Sequence, residues 1–160
     1  ANYYYDADGD KRVLYGEGLF MGYRHYDVSK VKPRFPFGFG LSYTQFEYSN
    51  LKVKSVDATT YEVTFSVKNV GNYDGAETAQ LYVRPINPKV TRPDKELKGF
   101  TKQIIAKSSS AEMKITIDKS AFSYYKTELK DFDYDAGDYE ILVGSASDNM
   151  LLKEVISIIK

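Results

Sequence analysis

Near the start of the chain, acids fall at the spacing of a calcium-binding loop: Asp6, Asp8 and Asp10, then Glu17 at the twelfth position counted from Asp6, with Val13 at the apolar eighth. Such a loop needs glycine at its sixth position for a sharp turn, but Lys11 stands there and Gly9 sits at the fourth. Neither flank reads as a helix, so the expectation is an acidic, solvated hairpin loop with no metal and no cofactor. A second cluster, Asp131, Asp133, Asp135 and Asp138 around Phe132 and Tyr134, offers the carboxylates that paired acid–base chemistry requires. That chemistry needs one carboxyl held protonated by burial, and an exposed loop does not supply it, so a solvated turn is expected. His25 is the only histidine. One imidazole among many hydroxyls is no evidence for a triad, and the expected role is a packed or paired residue on a strand. The Gly38-Phe39-Gly40 run is not placed between a buried strand and a helix, as a phosphate cradle would be. No catalytic, cofactor or metal residues are assigned.

The elements that would position these groups are strands. Leu51 and Val53 alternate with lysines; Tyr61, Val63, Phe65 and Val67 alternate with Glu62, Thr64, Ser66 and Lys68; Ala79, Leu81 and Val83 alternate with Gln80, Tyr82 and Arg84. The period of two continues in Met113, Ile115 and Ile117, in Tyr139, Ile141 and Val143, and in the apolar stretch from Met150 to Ile159. Turn signals separate these runs at residues 57–60, 71–75, 107–110, 136–138 and 145–149. About seven short strands spaced in this way predict an all-β antiparallel sandwich of immunoglobulin or fibronectin type III kind. Gly71 and Gly75 are expected in a chain reversal that a side chain would disfavour.

Composition narrows the partners. The 160 residues carry 22 basic and 22 acidic side chains, so no basic excess exists to neutralise nucleic acid or dock on an anionic membrane. Cysteine is absent, which removes disulfides and thiolate ligands together. No apolar run approaches the roughly 20 residues of a membrane span, and Ala1 to Tyr5 lacks the basic and apolar regions of a signal peptide. Fifteen Tyr and nine Phe without Trp suit strands and also suit recognition surfaces.

Residues 1–42 read differently from the rest. No period is sustained there, and Pro33, Pro36, Gly38 and Gly40 are interspersed with Phe35, Phe37 and Phe39. A strand is predicted from Leu19 to Tyr26, and the segment as a whole reads as connecting chain that lies against something larger. Leu14, Leu19, Phe20, Phe35, Phe37 and Phe39 are its apolar contacts.

Two runs carry a resemblance: Tyr15-Gly16-Glu17-Gly18-Leu19-Phe20-Met21-Gly22-Tyr23-Arg24-His25-Tyr26-Asp27 and Phe35-Pro36-Phe37-Gly38-Phe39-Gly40-Leu41-Ser42-Tyr43-Thr44. They resemble the C-terminal part of glycoside hydrolase family 3, the β-glucosidase family. Val67-Lys68-Asn69-Val70-Gly71, Asp74-Gly75-Ala76-Glu77, Gln80-Leu81-Tyr82-Val83, the run Arg92 to Phe100, Phe122-Ser123-Tyr124-Tyr125 and the run Gly137 to Ser145 are similar to that family's fibronectin type III-like domain. Family members often have Trp ahead of the final Gly-x-Tyr strand, where this chain has Phe132 and Tyr134.

The resemblance implies that 1–42 are the terminal strand and exit linker of a preceding α/β sandwich domain and that 43–160 are the fibronectin type III-like domain. In the family, an Asp nucleophile and a Glu acid/base lie upstream of that domain, and neither has a matching position here. The implied role is a non-catalytic module of a retaining β-glucosidase, with the upstream catalytic domains as its partner. A rival from the binding class, a carbohydrate or cell-wall module, requires a flat row of aromatic rings on one face. The tyrosines of the clear strands fall on both parities. A stand-alone enzyme is disfavoured because the acids show no sign of burial.

Overall fold

A computed structural model describes residues 15–160. The calcium-like pattern therefore lies outside the described residues except for Glu17, and Leu14 lies outside them too. A helix, α1 (Tyr23–Ser29), precedes nine strands: β1 (Phe46–Ser55), β2 (Thr60–Asn69), β3 (Gly75–Pro85), β4 (Glu96–Ile105), β5 (Ser110–Asp118), β6 (Tyr124–Lys126), β7 (Asp131–Asp133), β8 (Gly137–Ala146) and β9 (Asn149–Ile158). They form a three-stranded sheet β1-β2-β5, a four-stranded sheet β4-β3-β8-β9 and a small hairpin β6-β7, with every pairing antiparallel. The fold is the all-β sandwich that the alternation predicted.

The core lies between the two larger sheets. Val63, Phe65 and Val67 of β2 and Met113, Ile115 and Ile117 of β5 face Ala79, Leu81 and Val83 of β3 and Ile141 and Val143 of β8. Phe122, on a 3-10 turn after β5, plugs one end, edge-on to Tyr61 at 5.6 Å and to Tyr139 at 5.0 Å between ring centroids. Asp57 caps the β1–β2 turn by accepting from the amides of Thr59 and Thr60.

Two elements differ from the alternation reading. β4 was not predicted because its apolar residues do not mark its inner face: Phe100 and Ile104 are exposed, Gly99 and Thr101 are half-buried, and only Ile105 is buried. Sheet packing explains the glycine, since a Cβ on Gly99 would stand 2.7 Å from Ile115 Cγ2. The strand expected over Leu19 to Tyr26 is instead a turn followed by α1, which begins after Gly22 at φ 58°. Gly71 and Gly75 do disfavour a side chain, as expected, though neither is among the positive-φ residues. Their constraint is close approach: a Cβ would meet Thr44 Oγ1 at Gly71 and Thr44 Cγ2, 2.5 Å away, at Gly75.

Candidate functional site

The informative surface is where residues 15–43 lie on the outer face of the four-stranded sheet. Outward-facing residues of a sandwich are normally wet, yet Tyr82 of β3 is 0% exposed and Gln80 is buried. Tyr23 of α1 covers Tyr82, edge to face at 5.7 Å, and packs on Phe37 at 5.9 Å. Tyr82 donates to Gln80 Oε1, and Gln80 Nε2 donates to the Ser145 carbonyl at 3.2 Å. Gly38 crosses directly above this pair, where a side chain would collide with the Gln80 amide. The Phe37 carbonyl accepts from Ser147 N at 2.8 Å. The segment is thus seated on the sheet by specific bonds.

Charged groups complete the seat. Lys95 Nζ is 2.7 Å from Asp27 Oδ1, with the lysine side chain only 6% exposed. Glu96 receives Arg24 at 3.1 Å, Arg92 at 3.0 Å and Lys98 at 3.5 Å. Burial opposes ionisation of Glu96, but the charges of Lys98, Arg92 and Arg24 outweigh it and hold its carboxyl below the usual range. Tyr23 Oη accepts from the Leu97 amide at 2.8 Å, capping a backbone donor of β4, an edge strand.

The entry to the sandwich is fixed by Asn69. Its side chain is fully buried: Oδ1 accepts from Thr44 Oγ1 and Gly71 N, and Nδ2 donates to the carbonyls of Tyr73 and Ile105 at 2.8 and 2.9 Å. All four hydrogen-bonding sites of the amide are used.

The other side of the segment is apolar and open. Phe35 is 65% exposed, Leu41 92% and Tyr43 96%, and Leu19, Met21, Val28, Val31, Phe37 and Phe39 are also exposed. Of the anticipated contacts, Phe20 is half-buried, whereas Leu19, Phe35, Phe37 and Phe39 remain open to solvent. A cleft of about 770 Å³ runs between residues 32–42 and the sheet, lined by Arg34, Phe39, Leu41, Glu77, Lys102 and Asp148. Burial pushes the Glu77 carboxyl up, partly offset by hydrogen bonds from Tyr48 and from the Thr78 amide. Its partner is the Tyr48 hydroxyl at 2.6 Å, and a retaining glycosidase needs a second carboxyl about 5–5.5 Å away.

Residues 77–147 match the family described as the fibronectin type III-like domain. The chain is 45% identical over 152 residues to thermostable β-glucosidase B of Acetivibrio thermocellus, a match covering 93% of this chain and 20% of that protein. The GH3 β-glucosidase of Bifidobacterium adolescentis superposes with a TM-score of 0.88 at 40% identity, over 93% of this chain and 22% of that one. Residues 77–147 are a fibronectin type III-like domain, and nearly the whole chain is similar to one segment of these β-glucosidases. Exo-α-(1→6)-L-arabinopyranosidase of Bifidobacterium longum is also similar, 44% identical over 135 residues, which is 84% of this chain and 18% of that protein. The chain spans about a fifth of the length of the curated relatives it matches.

The residues singled out from sequence are dispersed over the chain. The acidic cluster is not a free solvated turn, because Lys126 grips Asp133 at 3.1 Å and Asp135 at 2.8 Å, and Lys160 reaches Asp133 at 2.6 Å. Hydrogen bonds from Lys160 and Lys126 lower the Asp133 carboxyl to about 2, the opposite of what a general acid requires. His25 is exposed on α1 beside the Tyr26 ring, 5.6 Å between centroids, rather than packed on a strand. Among the described residues, no group of three or more His, Asp or Glu is placed to hold a metal ion, and no helix is long and apolar enough to cross a membrane. Sequence reasoning missed the Asp27–Lys95 pair, because the partners are 68 positions apart. It quoted Asn69 within a motif without its role, for which a buried-parity Asn at the end of an alternating strand was the available signal.

Proposed function

We propose that this chain is a non-catalytic, C-terminal fibronectin type III-like module of a retaining family 3 glycoside hydrolase acting on terminal β-D-glucosyl residues. The module packs on the upstream catalytic domains of the same polypeptide and stabilises them. In this reading residues 1–42 are the end and exit linker of the preceding α/β sandwich domain, and 43–160 are the module. The observation that carries it is the two-sided segment 15–43, bonded to the sandwich on one side and presenting Leu19, Phe35, Phe39 and Leu41 on the other. An apolar face of that kind fits a covered interface. Most of this chain, 93% and 84% of it, is matched in relatives named for β-glucosidase and for arabinopyranosidase activity, which supports a role that does not select the sugar. A stacking platform for carbohydrate would present coplanar rings, whereas the exposed pair Tyr125–Phe132 meets at 76° and Phe35–Phe39 at 46°. Incubation of the chain with an aryl β-glucoside tests the reading: no hydrolysis is expected, and turnover that co-purifies with the chain overturns it.

A further inference from the structure

The contacts that hold α1 differ in kind from those inside the sandwich. α1 buries none of its residues. Apart from the Tyr23 ring, its described contacts with β4 and the chain just before it are polar: Asp27 with Lys95, Arg24 with Glu96, and the Tyr23 hydroxyl with the Leu97 amide. Asp27 Oδ2 is buried without a hydrogen-bond partner, so Lys95 alone compensates that carboxylate. The groups facing this cluster are Lys95, Glu96 and Lys98 of β4 and its approach, Arg92 before them, and Tyr82 of β3. Lys30, Lys32 and Asp148 line the neighbouring cleft, and His25 points to solvent.

We infer that α1 and β4 form a charge-held latch, which opens when Glu96 is protonated while the sandwich beneath stays folded. The sign follows from Glu96. Its carboxyl is held below the usual range in the closed state, so its contribution is present at neutral pH and is lost as pH falls through that lowered value. Among the described residues the core between the sheets is apolar, Val63, Leu81, Ile141, Val143 and their neighbours, and the Glu77 carboxyl beside it, raised by burial, is not weakened by acid. Opening frees the Leu97 amide, uncovers Tyr82 and releases the segment that sets how the sandwich sits on whatever lies beyond it. That last consequence rests on the function proposed above; the latch itself does not.

Amide hydrogen exchange on the whole chain, read residue by residue as protection factors, tests it. At neutral pH the Leu97 and α1 amides are protected. Below the carboxylate range their protection falls by about tenfold or more, while amides of β2, β3 and β8 keep theirs. Lys95→Met produces the same local loss at neutral pH, because it strands the Asp27 charge, and His25→Gln leaves the acid midpoint where it was. The latch is overturned if α1 and Leu97 lose protection only together with the core, if Lys95→Met leaves them unchanged, or if His25→Gln moves the midpoint. These readouts need no partner, so their failure leaves the docking proposal standing, and failure of docking leaves them standing.

Discussion

The two faces of β3 and β8 are both buried, but by different means. Toward the three-stranded sheet, Ala79, Leu81, Val83, Ile141 and Val143 meet β2 and β5 in apolar packing that excludes water. On the outer face, Gln80, Tyr82 and Leu142 are as inaccessible, yet the cover is a segment with little regular structure, seated by a hydroxyl, an amide and ion pairs. Apolar packing is non-directional and insensitive to charge, so the inner face sets the stability of the sandwich. Directional bonds hold one geometry, and so the outer face sets the orientation of the segment and of the apolar side chains it displays.

Substitutions on the two faces should separate these roles, and the largest effect belongs to the core. Phe122→Ala removes a fully buried ring touching Tyr61 and Tyr139 and should cost about 3–5 kcal/mol in denaturant unfolding. A loss below about 1 kcal/mol would mean that the 3-10 plug is not part of the cooperative core. Next comes the junction. Asn69→Ala strands the buried Ile105 carbonyl and the Thr44 hydroxyl and should cost about 2–3 kcal/mol. Gly71→Ala, which pushes a methyl into Thr44, should act on the same junction, so the double mutant should fall short of the sum.

The smallest effect carries a sign. Burial raises the Glu77 carboxyl in the folded state, so its contribution is present below the ordinary carboxylate range and is lost as pH rises through the raised value. Glu77→Gln keeps an acceptor for the Tyr48 hydroxyl and removes the buried charge. The variant should melt slightly above the parent at neutral pH, and the two should converge in acid. A parent that melts higher at neutral pH would show that the Tyr48–Glu77 pair is net stabilising as an ion.

How much of this was legible in the sequence depends on the face. The inner face was readable because a strand repeats every two residues and water sorts its side chains, so Val63, Phe65 and Val67 or Ile115 and Ile117 announce themselves. β4 was not, because Gly99 faces inward under Ile115 while Phe100 and Ile104 face outward. Tyr82 stood with the polar set of its strand and is nonetheless fully buried, since a side chain 59 positions earlier covers it. Gly71 and Gly75 were recognised as constrained, but the constraint is the approach of Thr44, a tertiary contact that no local pattern encodes. The family resemblance supplied what periodicity did not: that 15–43 and the sandwich occur together.

The central claim is that the open apolar side of residues 15–43 is an interface normally covered by upstream chain. Sedimentation across a range of concentrations tests it most directly, on the chain and on a variant carrying Leu19→Ser, Phe35→Ser, Phe39→Ser and Leu41→Ser. These positions lie on the exposed side, so the substitutions should change the unfolding midpoint little, each by within about 0.5 kcal/mol. The account predicts that the uncovered chain self-associates as concentration rises and that the variant stays monomeric. A chain that remains monomeric throughout, or a variant that associates equally, would contradict it.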